Sequence, residues 1–162
     1  MADCIIDTNV LLVASAAHPY SPFDDTHVAA MERQIVFDWL AAFRNDDRCL
    51  VRDRMFKIYE EYQNQMTGQV YGLQVIHEKM QTAFRQVDIH YLADCMAEVP
   101  AEFDALDRSD RKFLAVALAD EGHSTVVNAT DTDWFAIEEE CDAHAVVVEQ
   151  LIEAWLRKGM CE

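Results

Sequence analysis

Short apolar runs alternate along this chain with longer stretches whose apolar residues recur every three or four positions. That alternation predicts strands interleaved with helices. Cys4 to Asp7 reads as the first strand, a β-branched run ending on a carboxylate. His18 to Asp25 contains two prolines and reads as a loop, after which Thr26 is placed to cap a helix with Val28, Met31, Ile35, Trp39 and Phe43 on one face. Arg44 to Arg48 ends that helix, and Cys49 to Val51 reads as a second strand. Arg52 to Met66 has helical spacing through Met55, Ile58, Tyr62 and Met66, with Gly68 as its breaker. Another helical pattern runs through Val70, Leu73, Ile76, Met80 and Phe84, and Val87, Ile89 and Tyr91 then alternate as a third strand.

The clearest helix is Asp107 to Gly122, with Phe113, Leu114, Ala117 and Leu118 as its buried face and Gly122 as its stop. Ser124 to Asn128 reads as a fourth strand, Trp134 to Cys141 as a short helix, and His144 to Leu151 as the segment holding a fifth strand. A last amphipathic helix ends near Gly159. Strands alternating with helices imply an α/β fold, its parallel sheet covered on both faces. The 162 residues suit one domain, and no Pro/Gly/Ser linker or internal repeat divides them.

Half the residues are hydrophobic, which excludes a disordered chain, and no apolar run reaches the length of a membrane span. The N-terminus lacks the basic start of a signal peptide, so a soluble cytoplasmic protein is expected. The five cysteines are scattered without a Cys-x-x-Cys pair, against a zinc site or a disulfide framework, and Cys4 is expected to pack as a small hydrophobe. A net charge of -17 argues against a general nucleic-acid coat protein. It leaves open plain solubility, a basic protein partner, or a carboxylate cluster that takes up cations.

Asp7 lies at the carboxyl end of the first strand, and Asp131 and Asp133 follow the fourth. In an open α/β sheet, ligand sites lie outside such ends, so adjacent first and fourth strands would bring these acids together. Asp110 opens the helix leading into the fourth strand, and Glu60 and Glu61 follow the second. Crowded carboxylates repel unless a cation compensates, and hard ions such as Mg²⁺ or Mn²⁺ prefer oxygen ligands. Two such ions can activate a water for phosphodiester cleavage. The bland alternative is that these aspartates are turn residues and helix caps.

The segments "IIDTNVLL", "YEEY", "DRSDRKFLAVAL" and "VVNATDTDW" occur in the order found in PIN domains, and the resemblance spans Cys4 to about Val148. It implies a Rossmann-like three-layer α/β/α sandwich with a central, mostly parallel five-stranded sheet, and a Mg²⁺- or Mn²⁺-dependent nuclease acting mostly on RNA, with DNA left open. The acids it assigns are Asp7, Glu61 (or Glu60), Asp110 and Asp131, with Asp133 completing a second metal position. Asn9 and Thr130 would orient these carboxylates by hydrogen bonds. Where the family commonly has Thr-Gly before the fourth acid, this chain has Ala129-Thr130, which leaves the choice between Asp131 and Asp133 open. Small PIN domains are often toxins of toxin–antitoxin pairs, so the resemblance also implies homodimers and a basic antitoxin partner.

Arg52, Arg54, Arg108, Arg111 and Lys112 flank the acids and could grip a phosphate backbone, or simply solvate the surface. The six histidines have no ligand spacing, and Trp39, Trp134 and Trp155 read as core. The segment from Ala16 to Asp25 is long enough for a lid or partner surface. Two competing functions are a haloacid-type phosphatase with Asp7 as nucleophile, which would want an acid where Asn9 stands, and a non-catalytic interaction module.

Overall fold

The computed structural model describes residues 1–17, 27–66 and 71–162. Its centre is a five-stranded, all-parallel sheet in the order β3-β2-β1-β4-β5: β1 (Asp3–Ile6), β2 (Leu50–Asp53), β3 (Phe84–Val87), β4 (Ser124–Asn128) and β5 (Val147–Gln150). Helices flank the sheet in the manner of a Rossmann-like three-layer sandwich. Cys4, Ile5, Ile6, Leu50, Val51, Val126 and Val127 are all buried, because the three middle strands are covered on both faces. Each such side chain contributes about 1.5–3 kcal/mol of transfer free energy. The edge strands β3 and β5 alternate between exposed and half-buried positions.

From β1 the chain winds outward through β2 to β3, then returns to the other side of β1 for β4 and β5. The sheet therefore changes direction between β1 and β4, where Ile6 stands in register with Val127. In doubly wound sheets the crevice at this switch point is the natural ligand site.

The helices are α1 (Thr8–Ala16), α2 (Ala30–Asn45), α3 (Lys57–Gln65), α4 (Tyr71–Thr82), α5 (Arg111–Ala119), α6 (Asp133–Ala136), α7 (Glu138–Ala143) and α8 (Glu153–Met160). Several differ from the sequence expectation for identifiable reasons. The buried stripe of α2 is Val36, Leu40 and Phe43, whereas Met31 and Ile35 are exposed. The helix after β2 starts at Lys57, because the Asp53 carboxylate ends the strand and accepts the Lys57 and Ile58 amides at 2.9 and 3.0 Å. Arg52 thus belongs to β2, and Met55 is exposed.

The third strand is Phe84–Val87 rather than the Val87–Tyr91 alternation. As an edge strand it shows solvent an apolar side chain, so its pattern resembles the tail of α4. Tyr91 lies outside it and donates its hydroxyl to Asp53 at 2.8 Å. Helix α5 begins at Arg111. Asp107 instead closes a turn through the backbone and hydroxyl of Ser109. The single helix expected over Trp134–Cys141 is two short ones, α6 and α7.

Helix α2 starts after Ala29, its N-cap, which makes no side-chain cap bond. Thr26, Gly68, Val70 and most of the Ala16–Asp25 segment lie outside the described residues. Among the described residues, no helix is long and apolar enough to cross a membrane.

Candidate metal centre

The backbone leaves β1 with the Asp7 amide still bonded to Val127 O (3.0 Å), then turns directly into α1. Asp7 is the N-cap of that helix. The residue is 4% exposed and stands at the switch-point crevice. Asp110 arrives at the N-terminus of α5, and Asp131 in the turn after β4. One carboxylate oxygen from each of Asp7, Asp110 and Asp131 lies within 4.8 Å of the other two. Three segments that are distant in sequence thus converge on one point.

The electrostatics follow from that crowding. Burial, with the nearby charges of Asp131 and Glu61, lifts the Asp7 carboxyl from its ordinary 3.8 to about 7, against the hydrogen bond from Trp134. Asp110 is raised as well, by burial first and then by Asp7 and Asp131. Three carboxyl groups crowded at one largely buried point form a donor set whose mutual repulsion a divalent cation would relieve. Their oxygens suit a hard ion such as Mg²⁺ or Mn²⁺, so the residues fit the cofactor the sequence implied.

The other sequence candidates fall around this trio. Glu61 is beside it but outside it: Glu61 Oε1 accepts from Lys112 Nζ at 2.7 Å and Oε2 accepts from the Thr8 hydroxyl. Glu60 points to solvent and pairs with Lys57. Asp133 donates its amide to Asp131 Oδ1 at 2.9 Å, and its own carboxyl is raised by partial burial and by Asp131.

Asn9 does not orient a carboxylate through its side chain. Its Oδ1 accepts the amides of Ala129 (2.8 Å) and Thr130 (3.2 Å), while its Nδ2 donates to Asn128 Oδ1 at 2.9 Å. Thr130 takes part through its backbone. Asn128 then accepts the Asp131 amide and donates to Asp131 O and Gln150, so a half-buried amide side chain, Asn9, and a buried one, Asn128, shape the turn that carries Asp131.

Two further residues were not anticipated in this role. Trp134 is buried as expected, but its indole N–H also donates to Asp7 Oδ2 at 2.9 Å. Thr8 holds Glu61. Only Thr8 carried a signal, its place in the "DTN" triplet.

Among the basic candidates, Arg52 is corrected. It is 2% exposed, lies 4.0 Å from the Phe56 ring centroid, and donates to Asp53 O, so it presents no surface for a phosphate. Arg54 pairs with Asp88, Arg108 with Asp94, and Arg111 donates to the Leu106 and Asp104 carbonyls.

Comparison with protein-family models, with curated proteins and with solved structures gave no match. The site therefore rests on its own geometry.

Proposed function

We propose that this chain is a Mg²⁺- or Mn²⁺-dependent endoribonuclease of the PIN type. The observation that carries the reading is the convergence of Asp7, Asp110 and Asp131 at the switch point between β1 and β4. A divalent ion held there supplies a Lewis acid that activates water and stabilises charge on a phosphodiester. Asp7, Asp110 and Asp131 would hold it, with Asp133 and Glu61 at the margins. Trp134 keeps Asp7 oriented and favours its charged form. Asn9 and Asn128 fix the turn bearing Asp131, so the carboxylates are preorganised. Arg54, Arg108, Arg111 and Lys112 remain the candidates for gripping the RNA backbone, which a chain of net charge -17 must attract locally.

The phosphatase alternative is disfavoured, because the position two residues after Asp7 is Asn9, whose amide is spent on the backbone of Ala129 and Thr130. The cysteines of the described residues are free thiols, which suits the reducing cytoplasm. The acidic surface suits a basic antitoxin-like partner, with homodimerisation as the accompanying expectation.

The test is cleavage of a labelled RNA oligonucleotide with Mn²⁺, Mg²⁺ or EDTA, by the parent and by Asp7→Asn. Cleavage by the parent that EDTA and the substitution both abolish is expected. Metal-bound but inert protein against varied RNA and DNA would favour the non-catalytic module.

A further inference from the structure

The fourth acid of the site is already engaged, and by a cation of the chain itself. Both oxygens of Glu61 are occupied, one by Lys112 Nζ at 2.7 Å and one by the Thr8 hydroxyl. The ion pair is largely shielded, its side chains 12% and 18% exposed. Glu61 is near enough for its charge to act on both Asp7 and Asp110, yet it stands outside their oxygen cluster. Lys112 and Glu61 also form part of the wall of a groove of about 300 Å³, shared with Lys57, Asn64, Tyr91 and Arg108. The cations of that wall are balanced by acids: Lys57 by Glu60, Arg108 by Asp94, and Lys112 by Glu61.

We propose that Lys112 is a positioning residue that withholds Glu61 from the metal centre until a phosphate backbone in the groove takes Lys112 over. This rests on the metal-dependent reading above. A lysine is a compact charge on a flexible stem, able to exchange one anionic partner for another. A phosphodiester in the groove offers Lys112 that second partner, and Glu61 Oε1 is then released to the trio while the Thr8 hydroxyl keeps its hold on Oε2. Substrate occupancy and metal affinity become coupled, and the coupling is reciprocal. The centre is weak while the groove is empty, and it strengthens with nucleic acid in place.

The experiment measures Mn²⁺ affinity by calorimetry, without nucleic acid, on the parent, Lys112→Gln, Glu61→Gln and the double variant. Lys112→Gln should bind Mn²⁺ about tenfold more tightly than the parent, within the usual range of coupling free energies. In the Glu61→Gln background the same change should matter less than about twofold, the margin within which independent effects add. Lys112→Arg, which keeps the ion pair, should resemble the parent. An equal gain in both backgrounds would reduce Lys112 to a long-range charge and overturn the proposal while leaving the metal centre intact. No gain, or weaker binding, in Lys112→Gln would overturn it too. Absence of Mn²⁺ binding in every variant would remove the metal centre itself. Lys112→Met, which retains most of the aliphatic stem, replaces Lys112→Gln if the latter fails to fold.

Discussion

Trp134 donates its indole N–H to the carboxylate of Asp7 across 127 residues of chain, at 2.9 Å and in full burial. The bond favours the charged form of an acid that its surroundings otherwise push towards neutrality. Trp134→Phe keeps most of the ring volume and deletes the donor. A hydrogen bond to a charged group is worth about 1.5–3 kcal/mol. The expected outcome is a rise in the Asp7 pKa, read by carboxyl carbon NMR, and Mn²⁺ binding weaker by about tenfold at neutral pH, the lower end of outer-sphere effects. Unchanged values of both would mean that the bond is incidental.

The raised carboxyls fix the sign of a pH dependence. Asp7 titrates at 3.8 when unperturbed and at about 7 in the fold. A raised pKa means that stability is greatest below the unfolded value and is lost as pH rises through the folded one. Between about pH 4 and 7 the metal-free protein should melt at progressively lower temperature, with Asp110 acting in the same direction. Asp120, lowered by its hydrogen bonds and ion pair with Arg85, loses its contribution only as pH falls below 3.8, outside this window. Melting curves in EDTA should show the decline, Asp7→Asn should flatten it, and Mg²⁺ should raise the melting temperature more at pH 8 than at pH 5. Identical melting at pH 5 and 8 in EDTA would contradict the assignment.

Asn9→Ala leaves the amides of Ala129 and Thr130 without their acceptor and Asn128 without one donor. Unsatisfied buried groups cost about 1–3 kcal/mol each. Denaturant titration should show a loss at least as large as one such group, and Mn²⁺ affinity should fall even though Asn9 is not proposed as a ligand. A loss of stability with metal affinity intact would separate the turn from the site.

Gly72 lies in α4, where alanine is ordinarily the better helix former by about 1 kcal/mol. A Cβ there would come within 2.8 Å of Ser15 Oγ and Met66 Cε and 3.0 Å of Leu11 Cβ. Ser15 is also fixed by accepting the Gly72 amide at 2.9 Å. Gly72→Ala should therefore destabilise the protein by about 1–3 kcal/mol, the usual cost of overpacking. A rise in melting temperature would show that α1 and α4 have room to part.

The strands nearest the site were legible because their apolar runs are short, β-branched and closed by Asp7 or Asn128. Adjacency of β1 and β4 was a condition of the reading that only the sheet order supplies. Glu61 could be separated from Glu60 only in three dimensions, since both lie on α3 about 100° apart. Arg52 misled because a charged side chain in a helical pattern reads as surface, whereas β2 is buried along its whole length. Trp134 and Asn128 looked like core and strand end. Their partners, Asp7 and Asn9, lie more than a hundred residues away, beyond the reach of local pattern.

The pairing of Ile6 with Val127 has a consequence in time. Contacts of such sequence separation form late in folding, after loop-closure entropy has been overcome. During synthesis from the N-terminus, Asp7 is made before β4 and Asp131, which follow more than a hundred residues later, several seconds or more at about 5–20 residues per second. For that interval the nascent chain carries the first carboxylate without its companions. Whatever the assembled centre does, it cannot do while most of its own chain is still being translated.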